Sequence, residues 1–212
     1  MDYSKRISEE AEKLFMKYGI RTVTMDMIAH ELGISKRTIY ENFSDKDSLV
    51  THVIRERALK QKESFKEIMK SSANVIDVVF TIIETAGREM RDTNPNYMLD
   101  LKKYHHKVFR LLCDRGEIRN SEMSLDILRR GVEEKIFRYE INIELVNEGI
   151  QGFIDSIQEN ELFHSSKYSK FEIFDNILFS YLKGISTDEG NKIIDEYRKK
   201  LGIIKNGNDN EN

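Results

Sequence analysis

The chain has 212 residues, of which 39% are hydrophobic and 33% charged, with a formal net charge of −3; these values suit a folded protein of one large or two modest domains and exclude a disordered chain. A single cysteine, Cys113, leaves no internal disulfide. No signal-like N-terminal run and no apolar stretch of the roughly 20 residues a membrane span requires can be found, so the sequence predicts a cytoplasmic protein with no membrane partner.

Charge is unevenly spread. Residues 1–50 hold 8 Lys and Arg against 9 Asp and Glu, residues 51–72 hold 6 against 3, and the remainder holds 20 against 25. That pattern allows a local phosphate-binding face and disfavours wholesale binding of polyanions.

With one proline, Pro95, and apolar residues recurring at three and four, the whole chain reads as helical. The first helix spans about Ser4 to Tyr18, since Ile7, Ala11, Leu14, Phe15 and Tyr18 share a face and Gly19 ends it. A second, about Met25 to Leu32, starts behind the capping hydroxyl of Thr24, carries Asp26 toward its positive end and stops at Gly33. The third starts at the cap Ser35 and runs to about Phe43; Ser44 and Asp47 then have the spacing of a capping box for a long fourth helix containing the basic run HVIRERALKQKESFKEIMK. The β-branched run in NVIDVVFTIIETAG would suit a buried strand, but Asn74 and Asp77 are start signals and predict a helix. Asn94 and Pro95 open a further helix along which Met98, Leu101, Tyr104, His105, Val108, Leu111 and Leu112 keep helical spacing. Four more helices are predicted at about 122–137, 143–159, 169–185 and 188–200, the last behind Thr187, before a polar tail, NGNDNEN.

Residues 25–43 therefore read as helix, tight turn, helix, with Ile28, Leu32, Ile34, Ile39 and Phe43 forming a small core and Ala29 at the close approach. On the outer face of the second helix remain Lys36, Arg37, Thr38, Tyr40, Glu41 and Asn42, residues able to bond phosphates and base edges in a major groove. Spacing alone fits a solvated helical hairpin equally well.

Residues 6–50, RISEEAEKLFMKYGIRTVTMDMIAHELGISKRTIYENFSDKDSLV, resemble the N-terminal DNA-binding domain of the TetR family of bacterial transcriptional regulators. The likeness takes in Phe15 and Gly19, the Thr22-Val23-Thr24 entry, Ile28-Ala29 and Gly33, Tyr40-x-x-Phe43, and Lys46 followed by Leu49. The Lys36-Arg37 pair departs from the lysine and glycine of many relatives and leaves base preference open. The resemblance implies an all-α protein: a helix-turn-helix DNA-binding domain over 1–46, a helical effector-binding and dimerisation domain over 47–201 and a flexible tail over 202–212. It further implies that Thr24, Tyr40 and Lys46 hold phosphates, that Lys36, Arg37 and Thr38 lie nearest the bases, and that Ser35 belongs to the same face. Tyr40 could instead cover the core with its ring.

FRYEINIELVNEGIQGF and LFSYLKGISTDEG look like segments of one large group of these regulators. Wide apolar arcs, Val146, Ile150, Phe153 and Ile157 on one helix and Phe171, Phe174, Leu178, Tyr181 and Leu182 on another, predict a homodimer through a four-helix bundle. The resemblance implies a small-molecule effector, with Phe80, Met90, Met98, Tyr104, His105 and Phe109 as candidate lining, although each also suits a plain core position. No cofactor, metal set or catalytic constellation is found: His105 and His106 are adjacent and lack a His or Cys partner at i+4, and Cys113 has no activating group. The expected function is a repressor released from a palindromic DNA operator by an effector. The alternatives are a DNA-bound protein of this fold controlling a protein partner, or a helical carrier or enzyme with a vestigial DNA-binding hairpin.

Overall fold

The computed structural model describes residues 3–114, 121–159 and 174–200. Among them every regular element is helical: α1 (Tyr3–Tyr18), α2 (Met25–Leu32), α3 (Lys36–Asn42), α4 (Lys46–Ser71), α5 (Val75–Asp92), α6 (Asn96–Tyr104), α7 (His106–Asp114), α8 (Ser121–Glu133) and α9 (Ile143–Glu159). A π-helical turn, Phe174–Leu178, leads into α10 (Phe179–Ile185), and α11 is Asp188–Lys200. The polar tail from 202 lies outside the described residues.

Local chemistry explains most of the boundaries. Gly19, at φ 83°, and Gly33, at φ 63°, take the left-handed conformation that ends α1 and α2 at little cost for a residue without Cβ. The α4 start differs from the expected Ser44–Asp47 box: Ser48 N–H donates to Asp45 Oδ1 at 2.7 Å and Asp45 N–H to Ser48 Oγ at 3.3 Å, a reciprocal cap one residue later. The β-branched run is helix, as predicted; Asn74 Oδ1 accepts from the amides of Ile76 and Asp77, and Asp77 accepts from Ala73 N–H. One predicted helix is broken. At His105, with φ −123° and ψ 39°, the chain leaves helical geometry, so α6 and α7 are separate although their apolar spacing is continuous.

The described residues group into two compact units, 3–66 with 83–114, and 67–82 with 121–159 and 174–200. In the first, α1 to α3 and the start of α4 bury Ile7, Phe15, Ile20, Ile28, Ile39 and Leu49 in one core, which Tyr97 and Leu101 of α6 and Val108 and Leu112 of α7 also enter. Thus α6 and α7 pack with the helices of the expected head. Beside this core, Arg57 of α4 donates to Glu89 at 2.7 Å and to Met16 Sδ at 3.1 Å, and its ion pair with Glu12 spans 3.5 Å.

In the second unit Phe80 stacks on Phe179 at 5.0 Å and on Tyr197 at 5.1 Å, burying the inner face of α5. Arg130 of α8 bonds the carbonyls of Met69 and Ser72 and the carboxylate of Glu134, whose other oxygen accepts from Val75 N–H at 2.7 Å. After α8 the chain turns through Lys135, at φ 58°, and Phe137 pairs with Ser186 in a single antiparallel bridge.

Candidate nucleic-acid interface

Seven residues make α3 too short to persist alone, so its conformation depends on what it is packed on. Ile39 is fully buried and Phe43 nearly so, fixing one face to the core of α1 and α2. Ser35 Oγ accepts the Thr38 amide at 3.1 Å and shares a hydroxyl contact with Thr38 Oγ1 at 2.9 Å, closing the N-terminal turn. The opposite face is thereby turned outward. Tyr40 is 45% exposed.

The cations on that face already have local acid partners. Lys36 Nζ lies 2.7 Å from Asp26, a hydrogen bond and charge that push the ammonium pKa up, and Arg37 Nε donates to Glu41 at 2.8 Å. The Arg37 side chain is 87% exposed, so solvent competes for this pair and a phosphate or guanine edge can replace Glu41 at little cost. Thr24 Oγ1 accepts from the Met27 amide at 3.1 Å, leaving its hydroxyl proton for another acceptor. Lys46 is half-buried and donates to the Arg21 carbonyl at 3.3 Å; burial pushes its pKa down, against the pull of Asp100 and Asp47. An arriving phosphate would stabilise that desolvated ammonium.

Several polar contacts that tie α6 to the head have no signature in sequence spacing. Arg21 N–H donates to Asp100 Oδ2 at 2.8 Å, Asn94 N–H to the Met16 carbonyl at 2.6 Å, and Nδ1 of the buried His105 lies 2.5 Å from Asp47 Oδ1. Periodicity does not single out Arg21 either. Its guanidinium sits 4.6 Å over the Tyr104 ring, with Nη1 donating to Tyr104 Oη at 2.8 Å. A cation just before the Thr22-Val23-Thr24 entry is the one clue the sequence offers.

Residues 7–53 match the family described as bacterial regulatory proteins, tetR family. Those residues therefore carry a DNA-binding domain of the tetR type, and the relatives of the chain are transcriptional regulators. It is 28% identical to the HTH-type transcriptional regulator YvaF of Bacillus subtilis (strain 168), over 87% of this chain and 96% of that one. With an HTH-type transcriptional regulator of Staphylococcus aureus (strain bovine RF122 / ET3-1) it shares 24% identity over 74% of this chain and 95% of that one. A crystal structure of a transcriptional regulator from Cytophaga hutchinsonii ATCC 33406 has the same fold, with a TM-score of 0.71 and 19% identity over 88% of this chain and all of that one. These relatives are transcriptional regulators and not enzymes.

The six residues expected to line an effector pocket are divided between the two units. Phe80 belongs to the second unit and is stacked in its core; the others fall in the first. Met98 and Phe109 pack against the core of the head, His105 is held by Asp47, Tyr104 is exposed against Arg21, and the Met90 side chain lies outside what is described. Of the dimer-arc residues, Leu182 is buried within its own unit, Val146, Ile150, Phe153, Leu178 and Tyr181 are partly covered, and Phe171 with the side chains of Ile157 and Phe174 lies outside the described residues. Tyr181 Oη donates to the Val146 carbonyl at 2.8 Å, joining α10 to α9. Among the described residues no helix is long and apolar enough to cross a membrane, and no cluster of three His, Cys, Asp or Glu could hold a metal ion.

Proposed function

We propose that this regulator is a cytoplasmic homodimeric repressor whose two α3 helices read a palindromic operator and whose affinity falls when a small molecule binds the helices beyond the head. The observation that carries the reading is the outward face of α3, where Arg37 and Tyr40 are exposed while Ile39 and Phe43 are locked in the core. In this reading Arg37, Lys36 and Thr38 meet base edges, while Thr24, Ser35, Tyr40 and Lys46 hold phosphates and set the register. Exposed apolar residues on α9 and beside α10, Leu145, Ile154 and Ile177, support pairing of two copies through these helices. Two such heads would reach half-sites about 34 to 36 Å apart. By linkage, an effector that lowers operator affinity must itself bind more weakly when the operator is present.

Selection from random duplexes with the full chain tests this. A palindrome should emerge, and Arg37→Ala should weaken it by about 1 to 3 kcal/mol with relaxed base choice, while Lys46→Ala weakens all duplexes alike. No enrichment at low salt, or base-dependent losses for Lys46→Ala, would overturn the assignment.

A further inference from the structure

We infer that the DNA backbone is also held from outside the helix-turn-helix, by a basic surface formed by Lys102 and Lys103 at the end of α6 together with Arg21. The inference rests on the DNA-binding reading above and extends it to residues that no resemblance assigns. A solvent-open hollow of about 610 Å³ within the first unit is walled by these three cations, with Tyr18, Thr22 and Tyr104 between them. Its wall carries one carboxylate, Asp100, which is 8% exposed and already accepts the Arg21 amide. The hollow therefore presents an excess of positive charge edged by hydroxyls, which suits phosphate oxygens.

Position selects the occupant. The Arg21 carbonyl accepts Lys46 Nζ at 3.3 Å, and Thr24 follows three residues on, so the hollow continues the surface on which phosphates are expected. The Arg21 guanidinium sits 4.6 Å over the Tyr104 ring and spends one of its donors on the ring hydroxyl, which holds the group in place with other N–H groups to offer. Lys103 is exposed, on a long flexible stem that lets its ammonium reach beyond the protein surface. The α6 dipole favours cations in its last turn, which accounts for Lys102 and Lys103 singly. It does not account for Arg21, which comes to the same place from a different element.

The test is the salt dependence of duplex binding by the full chain, on the palindrome recovered by selection and on a random-sequence duplex of equal length. For K102Q/K103Q, the slope of log affinity against log salt should flatten by about 0.9 for every phosphate that the protein no longer neutralises, equally on both duplexes. K102R/K103R should keep the parental slope. The inference is overturned if K102Q/K103Q leaves the slope unchanged while K46A flattens it, or if it lowers only the melting temperature, as a helix-dipole role would. It is equally overturned if the slope is unchanged and the variant loses only protection by inorganic phosphate against thermal unfolding, since the hollow would then hold small anions. A parent protein indifferent to every duplex would instead sink the DNA-binding reading itself.

Discussion

Asp100 accepts the backbone N–H of Arg21 on Oδ2 at 2.8 Å, joining α6 to the turn that precedes α2 across 79 residues of chain. The carboxylate is buried, and the turn it holds carries Arg21, whose carbonyl in turn accepts Lys46. Asp100→Ala takes the acceptor from that part-buried amide. It should cost about 1 to 3 kcal/mol in urea unfolding, with Asp100→Asn, which keeps an acceptor oxygen, costing less. Equal losses for the two would mean that charge, and not the hydrogen bond, is what matters.

Gly19 lies against the same carboxylate. Its φ of 83° belongs to the left-handed region, and a Cβ there would stand 2.8 Å from Asp100 Oδ2. Gly19→Ala should therefore lose about 1 to 2 kcal/mol from backbone strain, plus a steric part. In the Asp100→Ala background the steric part disappears, so the double mutant should be less destabilised than the two single losses combined, by at least about 0.5 kcal/mol. Simple additivity in the unfolding data would show that the two residues do not press on one another.

A second glycine comparison takes one position from each unit. A Cβ at Gly131 would fall 2.0 Å from Phe137, a fully buried ring that follows the Lys135 turn, whereas one at Gly87 in α5 meets nothing closer than the tip of Arg91 at 3.9 Å. Gly131→Ala should destabilise by about 1 to 3 kcal/mol through overpacking, and Gly87→Ala should stabilise by roughly 0.5 to 1 kcal/mol through helix propensity. Thermal melts of the two variants should move in opposite directions.

These positions show what periodicity can and cannot reveal. Spacing delimits α1 to α3 almost residue by residue, because caps such as Thr24 and Ser35 and the left-handed Gly33 are local devices whose chemistry is written in neighbouring residues. The α6–α7 break is hidden, because its apolar face stays in phase through His105 while the contact drawing His105 aside comes from Asp47, 58 residues earlier. Phe80 and Met98 carry the apolar character of pocket walls, but apolar character does not distinguish a wall from a packed core. For the DNA face the outward residues are legible, whereas Arg21 and the α6 cations become neighbours only through tertiary packing.

Tyr97 makes stability depend on alkaline pH. Its ring is buried and its hydroxyl has no hydrogen-bond partner among the described residues; burial pushes its pKa up to about 12 from the ordinary 10. Between those values the unfolded chain has lost a proton that the folded chain retains. The stabilisation is therefore fully present below pH 10 and lost as pH rises toward 12, a share of roughly 2 to 3 kcal/mol. Tyr97→Phe should remove that share of the alkaline decline and be as stable as the parent or more so at pH 7, since it deletes an unsatisfied buried hydroxyl. Urea melts from neutral pH to just below the raised pKa check both points, and a clear loss for Tyr97→Phe at pH 7 would mean the hydroxyl is bonded.

The Asp26–Lys36 pair sits on the face proposed to meet DNA, so its carboxylate opposes the approach of phosphates twice over. It adds a negative charge there and it holds the Lys36 ammonium at 2.7 Å. Both partners are largely exposed, so the pair contributes little to folding, although Asp26 also lies in the favourable first turn of α2. Asp26→Asn keeps the shape, frees Lys36 and removes the repulsion. Duplex affinity should rise several-fold at low salt, with the gain shrinking as added salt screens the interface. Fluorescence anisotropy at two ionic strengths measures it, and weaker binding at low salt would mean that Asp26 holds Lys36 in the orientation the operator needs.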